Sequence, residues 1–194
     1  VSRGGEKLAY ALDHFKVDVR GKTCADVGAS TGGFTDCLLQ RGAAKVYAID
    51  VGTGQLDPKL RRDPRVVVME QINARVLDPR LLGESPDVVT VDVSFISLEK
   101  VLPNVFGVDA GGGQVVALVK PQFEVGKGHV GKGGVVRDPA QQQAVVGRLA
   151  RFSVLRGWHV LAVTASPLKG AKGNREFFLH LSSQGRTASN LEGQ

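Results

Sequence analysis

Short apolar runs rich in β-branched residues alternate along this chain with longer stretches of helical periodicity. The β-branched runs predict strands at residues 23–27, 45–50, 65–69, 87–92, 115–120, 158–164 and 177–181. The stretches between them predict helices at residues 5–15, 33–40, 97–105 and 139–156. Strands that alternate with helices are typical of an α/β fold with a mostly parallel sheet covered on both faces.

The predicted elements belong to one domain. No run of proline, serine or charged residues divides the chain, so we expect a single domain over residues 1–182. Residues 183–194 are polar and featureless, which predicts a disordered tail.

The composition is that of an ordinary globular protein. The 194 residues include 25 Lys and Arg against 19 Asp and Glu, and the net charge of +6 permits a polyanionic partner. The longest apolar run, at residues 115–119, is far shorter than the roughly 20 residues of a membrane span. The first residues also lack the apolar segment of a signal peptide. We therefore expect a soluble, cytoplasmic protein with no membrane partner.

Thiol and imidazole side chains give no sign of a metal site. Cys24 and Cys37 form no CxxC pair, which predicts reduced, buried thiols. The histidines at positions 14, 129, 159 and 180 share no metal-ligand spacing. No metal is expected.

The most informative stretch runs from the first predicted strand through a glycine turn into a helix, with Gly28, Gly32 and Gly33 in the turn. This arrangement brings backbone N–H groups against a ligand. The second strand ends at Asp50, about twenty residues past Gly28, where a carboxylate can accept hydrogen bonds from ribose hydroxyls. Together these features predict a cofactor that contains a nucleoside.

The spacing of the glycines separates two kinds of cofactor. The dinucleotide pattern GxGxxG is absent, because the spacing is Gly28-x-x-x-Gly32-Gly33. Asp26 precedes the first glycine, where it can meet the amino group of a ligand. These features favour S-adenosylmethionine, with a nicotinamide-dependent dehydrogenase as the competing enzyme class. A turn that needs glycine for packing only is the other alternative.

Four ionisable residues lie at predicted strand ends or on the opening helix. Asp92 and Lys120 each follow an apolar strand, Glu176 precedes the last strand, and Lys7 lies on the helix. The carboxyl ends of the strands in an open α/β sheet form its ligand edge. A buried lysine is costly unless it is paired, so we expect Lys120 to have a carboxylate neighbour. Taken singly, each residue has the alternative of a solvated strand end.

A glycine-rich segment at residues 126–132 fits the GxxxxGK pattern of a phosphate-binding loop. The next residue is Gly133 rather than Ser or Thr, so the hydroxyl that would bind magnesium is missing. The segment fits better a mobile basic loop with Lys127, Lys132 and Arg137. The charged side chains of this loop either contribute to the functional site or are simply solvated.

Five motifs follow one another along the chain: SRGGEKL at 2–8, DVGASTGGFT at 26–35, VDVSFISL at 91–98, VKPQFE at 119–124 and KGNREF at 172–177. Together they resemble the motifs of the TlyA-type hemolysin and ribosomal RNA methyltransferases. These proteins belong to the wider FtsJ-like family of 2′-O-methyltransferases. The resemblance extends to about residue 182.

The resemblance implies a Rossmann-like fold of class I S-adenosylmethionine-dependent methyltransferases. Its doubly wound sheet has seven strands, with the last strand antiparallel and inserted beside the fifth. The resemblance also implies a catalytic tetrad of Lys7, Asp92, Lys120 and Glu176, the same four ionisable residues that were singled out above. The implied cofactor contacts, besides Asp26 in the turn, are Gly28, Ser30, Gly32, Phe34, Asp50 with the ribose and Asn73 with the adenine.

The activity implied by the resemblance is transfer of a methyl group from S-adenosylmethionine to a ribose 2′-hydroxyl of ribosomal RNA, at a cytidine. Lys120 would orient the hydroxyl or accept its proton. The partner would be ribosomal RNA or a ribosomal subunit, and family members usually begin with a small RNA-binding domain. We expect that domain to be missing from this chain. The side chains expected to bracket the RNA backbone are Lys127, Lys132, Arg137, Lys169 and Lys172.

Two other functions stay open at this point. One is a catalytically silent RNA-binding or ribosome-assembly module of the same fold, which would keep the pocket without turnover. The other is a hemolysin, although the sequence has no long amphipathic segment with a basic face.

Overall fold

One sheet forms the centre of the computed structural model, which describes residues 2–108, 112–185 and 188. Its seven strands in this part of the chain are β1 (Thr23–Val27), β2 (Lys45–Ile49), β3 (Val66–Met69), β4 (Val88–Val91), β5 (Gln114–Val119), β6 (His159–Ala165) and β7 (Phe177–Ser182). The strand order is β3-β2-β1-β4-β5-β7-β6. The first five strands pair in parallel, and β7 runs antiparallel between β5 and β6. The predicted α/β class, the doubly wound topology and the inserted last strand are thus confirmed. Most of the predicted tail at 183–194 lies outside the described residues.

The described residues form five α-helices: α1 (Gly4–His14), α2 (Gly33–Gln40), α3 (Pro58–Arg62), α4 (Leu102–Gly107) and α5 (Pro139–Leu155). The start of α5 is as predicted, because the Asp138 side chain accepts a hydrogen bond from Ala140 N at 2.9 Å. The helix predicted at 97–105 is split. A 3₁₀ turn comes first, and α4 begins one residue before Pro103, since proline suits only the first turn of a helix. The sequence pattern does not predict α3, because five residues are too few for a periodic signal.

The helices lie on both faces of the sheet, and the strands supply a core to each face. Along β2, Val46 and Ala48 pack on the face that carries α1 and α2, whereas Tyr47 and Ile49 pack on the face of α4 and α5. None of these four residues is more than 3% exposed. Because both faces are covered, the strands read as nearly continuous apolar runs. No helix within the described residues combines the length and apolar character needed to cross a bilayer.

One edge of the sheet brings together the loops that carry most of the predicted site residues. The strand order reverses between β1 and β4, which is where ligands bind in open α/β sheets. The loops after β1, β2, β4 and β5 all start at this edge. Because β7 is antiparallel, its first residue, Phe177, lies opposite Val119 at the end of β5. The residues just before β7 therefore meet those that follow the parallel strands.

His180 is a buried titratable group on the strand next to one edge of the sheet. It lies on β7, its Nε2 is 2.7 Å from Gln114 Oε1, and its ring stacks on Phe15 with 4.9 Å between the centroids. Burial disfavours the charged imidazolium and lowers the pKa of His180 to about 4.

We expect His180 to make the fold less stable in mild acid. Below the ordinary pKa of 6.5 the unfolded chain takes up a proton that the folded chain does not bind until about pH 4. The free energy of unfolding should therefore fall as the pH drops through this window. His180→Phe, which keeps a ring against Phe15, should remove this part of the fall, as measured by urea denaturation above and below the pKa of free histidine.

His14→Gln is the matched control, because His14 is exposed. It should keep the pH dependence of the wild type. A His180→Phe protein whose stability falls in acid as steeply as that of the wild type would contradict the prediction.

Candidate active site

A cleft of about 530 Å³ opens at this edge, between the loops that follow β1, β2, β3 and β4. Four residues predicted to contact a cofactor line it, namely Gly28, Ser30, Asp50 and Asn73. Asp92 lines it as well, so the cleft extends to one of the predicted catalytic residues.

Gly28 allows two of these loops to touch. Its φ is +85°, and a Cβ at this position would lie 2.0 Å from the backbone oxygen of Asp92. A larger residue would therefore be strained and would also push the loop after β4 away. The glycine predicted to let a ligand approach also lets Asp92 approach.

Asp50 joins the loops after β1 and β2. Its Oδ2 accepts a hydrogen bond from Ser30 N at 2.6 Å, and its Oδ1 accepts one from Gly52 N at 2.9 Å. Each carboxylate oxygen has a second lone pair. The side chain can therefore hold the loops and accept ribose hydroxyls from the cleft at the same time.

Three other predicted cofactor residues, Asp26, Gly32 and Phe34, do not line the cleft. Asp26 is fully buried and accepts hydrogen bonds from Thr35 Oγ1 at 2.8 Å and Thr90 Oγ1 at 3.2 Å. Burial raises the pKa of Asp26 to about 7, and the two hydroxyls only partly oppose this rise. Phe34 is 3% exposed and packs in the core on the α1 and α2 face. The structure thus places Asp26 and Phe34 beneath the glycine turn, as its support, whereas Gly32 is part of the turn itself.

Sequence reasoning missed the apolar part of the lining, which includes Val51, Ile72 and Phe95. Val51 is 69% exposed and Phe95 is 89% exposed. Periodicity identifies apolar residues that face a core, so apolar residues at a cleft give no such signal. Their one sequence clue is proximity, since Val51 follows Asp50 and Ile72 precedes Asn73.

The four predicted catalytic residues form two ion pairs. Lys120 Nζ lies 2.5 Å from Asp92 Oδ1, and it also donates a hydrogen bond to Ser94 Oγ at 3.0 Å. Lys7 Nζ lies 2.7 Å from Glu176 Oε1. The carboxylate neighbour expected for Lys120 is therefore Asp92.

The sheet register brings the two pairs together. Val119 pairs with Phe177 across β5 and β7, so Lys120 and Glu176 lie at the adjoining positions, just beyond the end of this ladder. Both lysine side chains are 13% exposed and Glu176 is 2% exposed. The pairs thus form a partly buried group of two cations and two carboxylates.

A second cleft, of about 500 Å³, is lined by Lys7 together with Arg3, Lys169 and residues 170–173. Its lining side chains include four cations and no carboxylate. Because Asp92 lines the first cleft and Lys7 lines the second, the ion pairs lie between the two clefts. This arrangement can hold a nucleoside-containing cofactor on one side and a polyanion on the other.

The predicted basic loop adjoins the cationic cleft. Lys127, Lys132 and Arg137 are exposed on it. Asn174, which is 2% exposed, accepts a hydrogen bond from Val136 N at 3.0 Å and donates one to Ala171 O at 3.0 Å. The amide therefore ties the loop to the segment that carries Lys169 and Lys172, so the structure brings the two predicted basic segments together.

Gly170 leaves room for the Glu176 carboxylate. A Cβ on Gly170 would lie 2.0 Å from Oε2 and 2.3 Å from Cδ of Glu176. The φ of Gly170 is −82°, which any residue can adopt. The obstacle to a side chain here is contact with the carboxylate, not backbone strain.

The sequence matches the family model of FtsJ-like methyltransferases over residues 1–183. It is 53% identical over 193 residues to the 16S/23S rRNA (cytidine-2′-O)-methyltransferase TlyA of Mycobacterium tuberculosis, a match that covers 100% of this chain and 72% of that protein. It is 46% identical over 181 residues to Hemolysin A of Brachyspira hyodysenteriae, covering 93% of this chain and 75% of that protein.

Solved structures agree with this relationship. A putative hemolysin from Lactococcus lactis superposes with a TM-score of 0.94 at 47% identity, covering 97% of this chain and 92% of that chain. A putative S-adenosylmethionine dependent methyltransferase from Listeria monocytogenes superposes with a TM-score of 0.69 over 94% of this chain and 100% of that chain. At 15% identity the second likeness concerns the fold alone.

Gly170→Ala should separate Lys7 from Glu176 while the protein stays folded. The new methyl group would occupy the position of the carboxylate, and a side-chain terminus moves more easily than backbone. The ¹⁵N signal of a lysine ammonium is sharp when an ion pair slows its hydrogen exchange. We expect such a signal for Lys7 in the wild type and its loss in the variant.

Gly107→Ala is the matched control, because its Cβ would make an ordinary contact at 3.9 Å from Pro79. It should leave the Lys7 signal in place. The same signal in Gly170→Ala as in the wild type would show that Glu176 does not depend on this glycine.

Proposed function

This chain belongs to the FtsJ-like methyltransferase family, and on that premise we propose that it methylates the ribose 2′-hydroxyl of a cytidine in ribosomal RNA. The observation that carries the proposal is the pair of lysine–carboxylate contacts between a nucleoside-sized cleft and a cationic cleft. The 53% identical relative supports the substrate, since it is a ribosomal RNA cytidine-2′-O-methyltransferase. We place the activity in the cytoplasm, with ribosomal subunits as the partners.

The first cleft suits S-adenosylmethionine. Asp50 can accept the ribose hydroxyls, Val51 and Ile72 offer apolar surface to an adenine ring, and the Asn73 amide can hydrogen bond to its edge. Gly28 leaves the backbone open to the remainder of the cofactor. When bound, S-adenosylmethionine supplies a methyl group on a positively charged sulfur, which a hydroxyl oxygen can attack.

Lys120 acts on the attacking hydroxyl. As an ammonium, its Nζ donates a hydrogen bond to one lone pair of the 2′-oxygen and leaves another lone pair aimed at the methyl group. The electron pair of the broken S–C bond then stays on the sulfur, and the hydroxyl proton passes to water. As a neutral amine, Nζ accepts the hydroxyl proton. In either form Asp92 and Ser94 fix Nζ at 2.5 and 3.0 Å, so the oxygen is held in place, and such positioning accounts for most of the acceleration.

Lys7 and Glu176 complete the charge balance beside the reacting oxygen. Glu176 holds Lys7 at 2.7 Å, and Lys7 also lines the cationic cleft. A ribose 2′-hydroxyl is a close neighbour of the 3′-phosphate of its own nucleotide. Lys7 therefore lies where it can attract that phosphate and draw the ribose towards Lys120.

The basic side chains of the second cleft and of the loop bind the RNA backbone. Lys169 and Lys172 line the cleft, and Lys127, Lys132 and Arg137 lie exposed on the adjoining loop. Contacts to phosphate supply affinity and position without reading the sequence of the RNA. A catalytically silent RNA-binding module would need these cations but not the two lysine–carboxylate pairs, and the intact pairs therefore favour an enzyme.

Methyl transfer is tested with S-adenosylmethionine labelled in its methyl group and unmodified ribosomal subunits, followed by alkaline digestion of the RNA. A 2′-O-methyl group blocks cleavage of the adjacent phosphodiester, so we expect the label in alkali-resistant dinucleotides that contain cytidine. Lys120→Met should lower this labelling by about 100-fold or more, because the oxygen is no longer oriented. Its cofactor affinity should stay within about twofold of the wild type, because Lys120 does not line the cofactor cleft.

The control is Lys100→Met, which removes an exposed lysine and should leave labelling unchanged. Label recovered in mononucleotides would mean base methylation and would contradict the roles given to Asp92 and Lys120. RNA binding without label in either fraction would favour the silent module.

The dependence of RNA affinity on salt concentration tests whether Lys169 and Lys172 bind the RNA backbone. The double variant Lys169→Ala/Lys172→Ala should bind ribosomal RNA more weakly and flatten the plot of log affinity against log salt. The slope should decrease in magnitude by about 0.7 for each phosphate of a single strand that the protein no longer neutralises. Fluorescence anisotropy from low to physiological salt measures both quantities.

Cofactor affinity should be the same in the double variant and in the wild type, because neither lysine lines the cofactor cleft. Lys59→Ala/Lys100→Ala removes two exposed lysines elsewhere and controls for net charge. An equal change of slope in the two double variants would assign the effect to overall charge, not to this cleft.

A further inference from the structure

A buried carboxylate outside the two ion pairs connects the loop after β4 with the segment after β5. The Glu124 side chain is 2% exposed. It accepts hydrogen bonds from Ser97 Oγ at 2.7 Å, from Leu98 N at 2.8 Å and from Arg148 Nη2 at 2.7 Å. The carboxylate therefore joins two other segments of the chain to its own, so three segments meet here.

Two of those segments carry catalytic residues. Ser97 and Leu98 end the loop after β4, which begins with Asp92. Glu124 itself lies directly after the 3₁₀ turn that follows Lys120 at the end of β5. The carboxylate thus clamps the loop of Asp92 to the segment of Lys120, four to six residues away from those side chains along the chain.

The third segment anchors this contact to a helix. Arg148, on α5, donates from Nη1 to the backbone oxygen of Glu124 at 2.9 Å and from Nη2 to its carboxylate. It also lies 3.0 Å from Glu99 Oε1. The arginine therefore fixes the main chain and the side chain of Glu124 together, and α5 serves as the rigid support.

The loop after β4 is strained and needs such a support. Phe95 has a φ of +62°, in the left-handed region that residues other than glycine seldom adopt. Strain of this kind persists only where the surrounding structure imposes it. Ser94, the residue before it, is one of the two groups that hold Lys120 Nζ. Relaxation of this loop would therefore move Ser94 and Asp92 away from the lysine.

Packing alone would not require a charged side chain at the position of Glu124. Burial raises the pKa of this carboxyl because desolvation disfavours the ionised form, whereas the hydrogen bonds from Leu98 N and Ser97 and the charge of Arg148 favour it. An apolar residue of similar size would fill the space, but it would leave Leu98 N and the Ser97 hydroxyl without their acceptor. The hydrogen bonds distinguish Glu124 from a residue that only fills the core.

We propose that Glu124 is a positioning residue for methyl transfer, which sets the distance between the Asp92 loop and Lys120 by clamping both to Arg148. The inference rests on the proposed function, because its kinetic consequence is measured as 2′-O-methylation. Glu124 does not touch the reacting atoms. Its removal should therefore loosen the arrangement of Lys120 without removing any group that takes part in the reaction.

The test replaces Glu124 with Gln, which keeps the size of the side chain and removes its charge. The rate constant kcat should fall by about 10- to 100-fold, as expected for a small misplacement of a catalytic group. The KM for RNA and the Kd for S-adenosylmethionine should change by less than about threefold. Hydrogen exchange at the Leu98 amide should become faster, since its acceptor is weakened.

Ser97→Ala is a second, milder variant that removes one donor to the carboxylate from a half-buried site, so the protein should stay folded. It should change kcat in the same direction by a smaller factor. Glu84→Gln is the matched control, because Glu84 is 49% exposed in a surface pair with Lys45 and should leave every readout unchanged.

The outcomes separate this inference from the proposed function. Wild-type kcat in Glu124→Gln, or unchanged exchange at Leu98, would overturn the positioning role even if the wild type methylates RNA. A fall in kcat/KM that comes entirely from KM would overturn it as well. If the wild type fails to methylate RNA, the proposed function fails, and the exchange at Leu98 still decides whether Glu124 clamps the two loops.

Discussion

A charged side chain cannot be withdrawn from water unless an opposite charge or several hydrogen bonds accompany it. At the edge of the sheet four charged side chains satisfy this constraint by forming two ion pairs, Lys7 with Glu176 and Lys120 with Asp92. Each partner comes from a different element, so the pairs can form only when α1, the ends of β4 and β5, and the start of β7 are all in place. The two ion pairs therefore assemble only in the correctly folded chain.

Close approach of the backbone is the second requirement of this site. Gly28 lets the loop after β1 touch the loop after β4, and Gly170 lets the chain pass against the Glu176 carboxylate. The two glycines serve different purposes, because Gly28 has a positive φ whereas Gly170 adopts an ordinary one. Both glycines nevertheless have one effect in common, because the absence of a side chain leaves room for the residue that approaches them, Asp92 or Glu176.

Much of the fold was predictable because its signals are local. The β-branched runs marked all seven strands to within about a residue or two, and Asp138 with Pro139 marked the start of α5. The misplaced helix at 97–105 has a local cause too, since Pro103 requires a helix to begin beside it. The five-residue α3 gave no periodic signal at all.

The site was predictable in part, for a different reason. Charged residues at strand ends stand out against apolar runs, and this contrast found Asp92, Lys120 and Glu176. Lys7 lies on the opening helix, where no such contrast exists. Whether a residue next to the glycine turn faces the cleft or the core depends on the direction of its side chain. Asp26 faces the core and was expected at the ligand, while Val51 and Phe95 face the cleft without a sequence signal. The contacts of Glu124 were not predictable from local sequence, because its partners lie 24 to 27 residues away along the chain.

The position of β7 has a consequence for the order in which the protein becomes functional. Among the described residues this strand comes last along the chain, yet it is inserted between β5 and β6. During synthesis, β5 and β6 must wait with unpaired backbone groups until β7 leaves the ribosome. Glu176 arrives with β7, so the Lys7 pair cannot form on an incomplete chain. A nascent chain that has not yet released β7 would therefore lack one of the two lysine–carboxylate pairs, so the charge balance at this edge is completed only after β1 to β6 have left the ribosome.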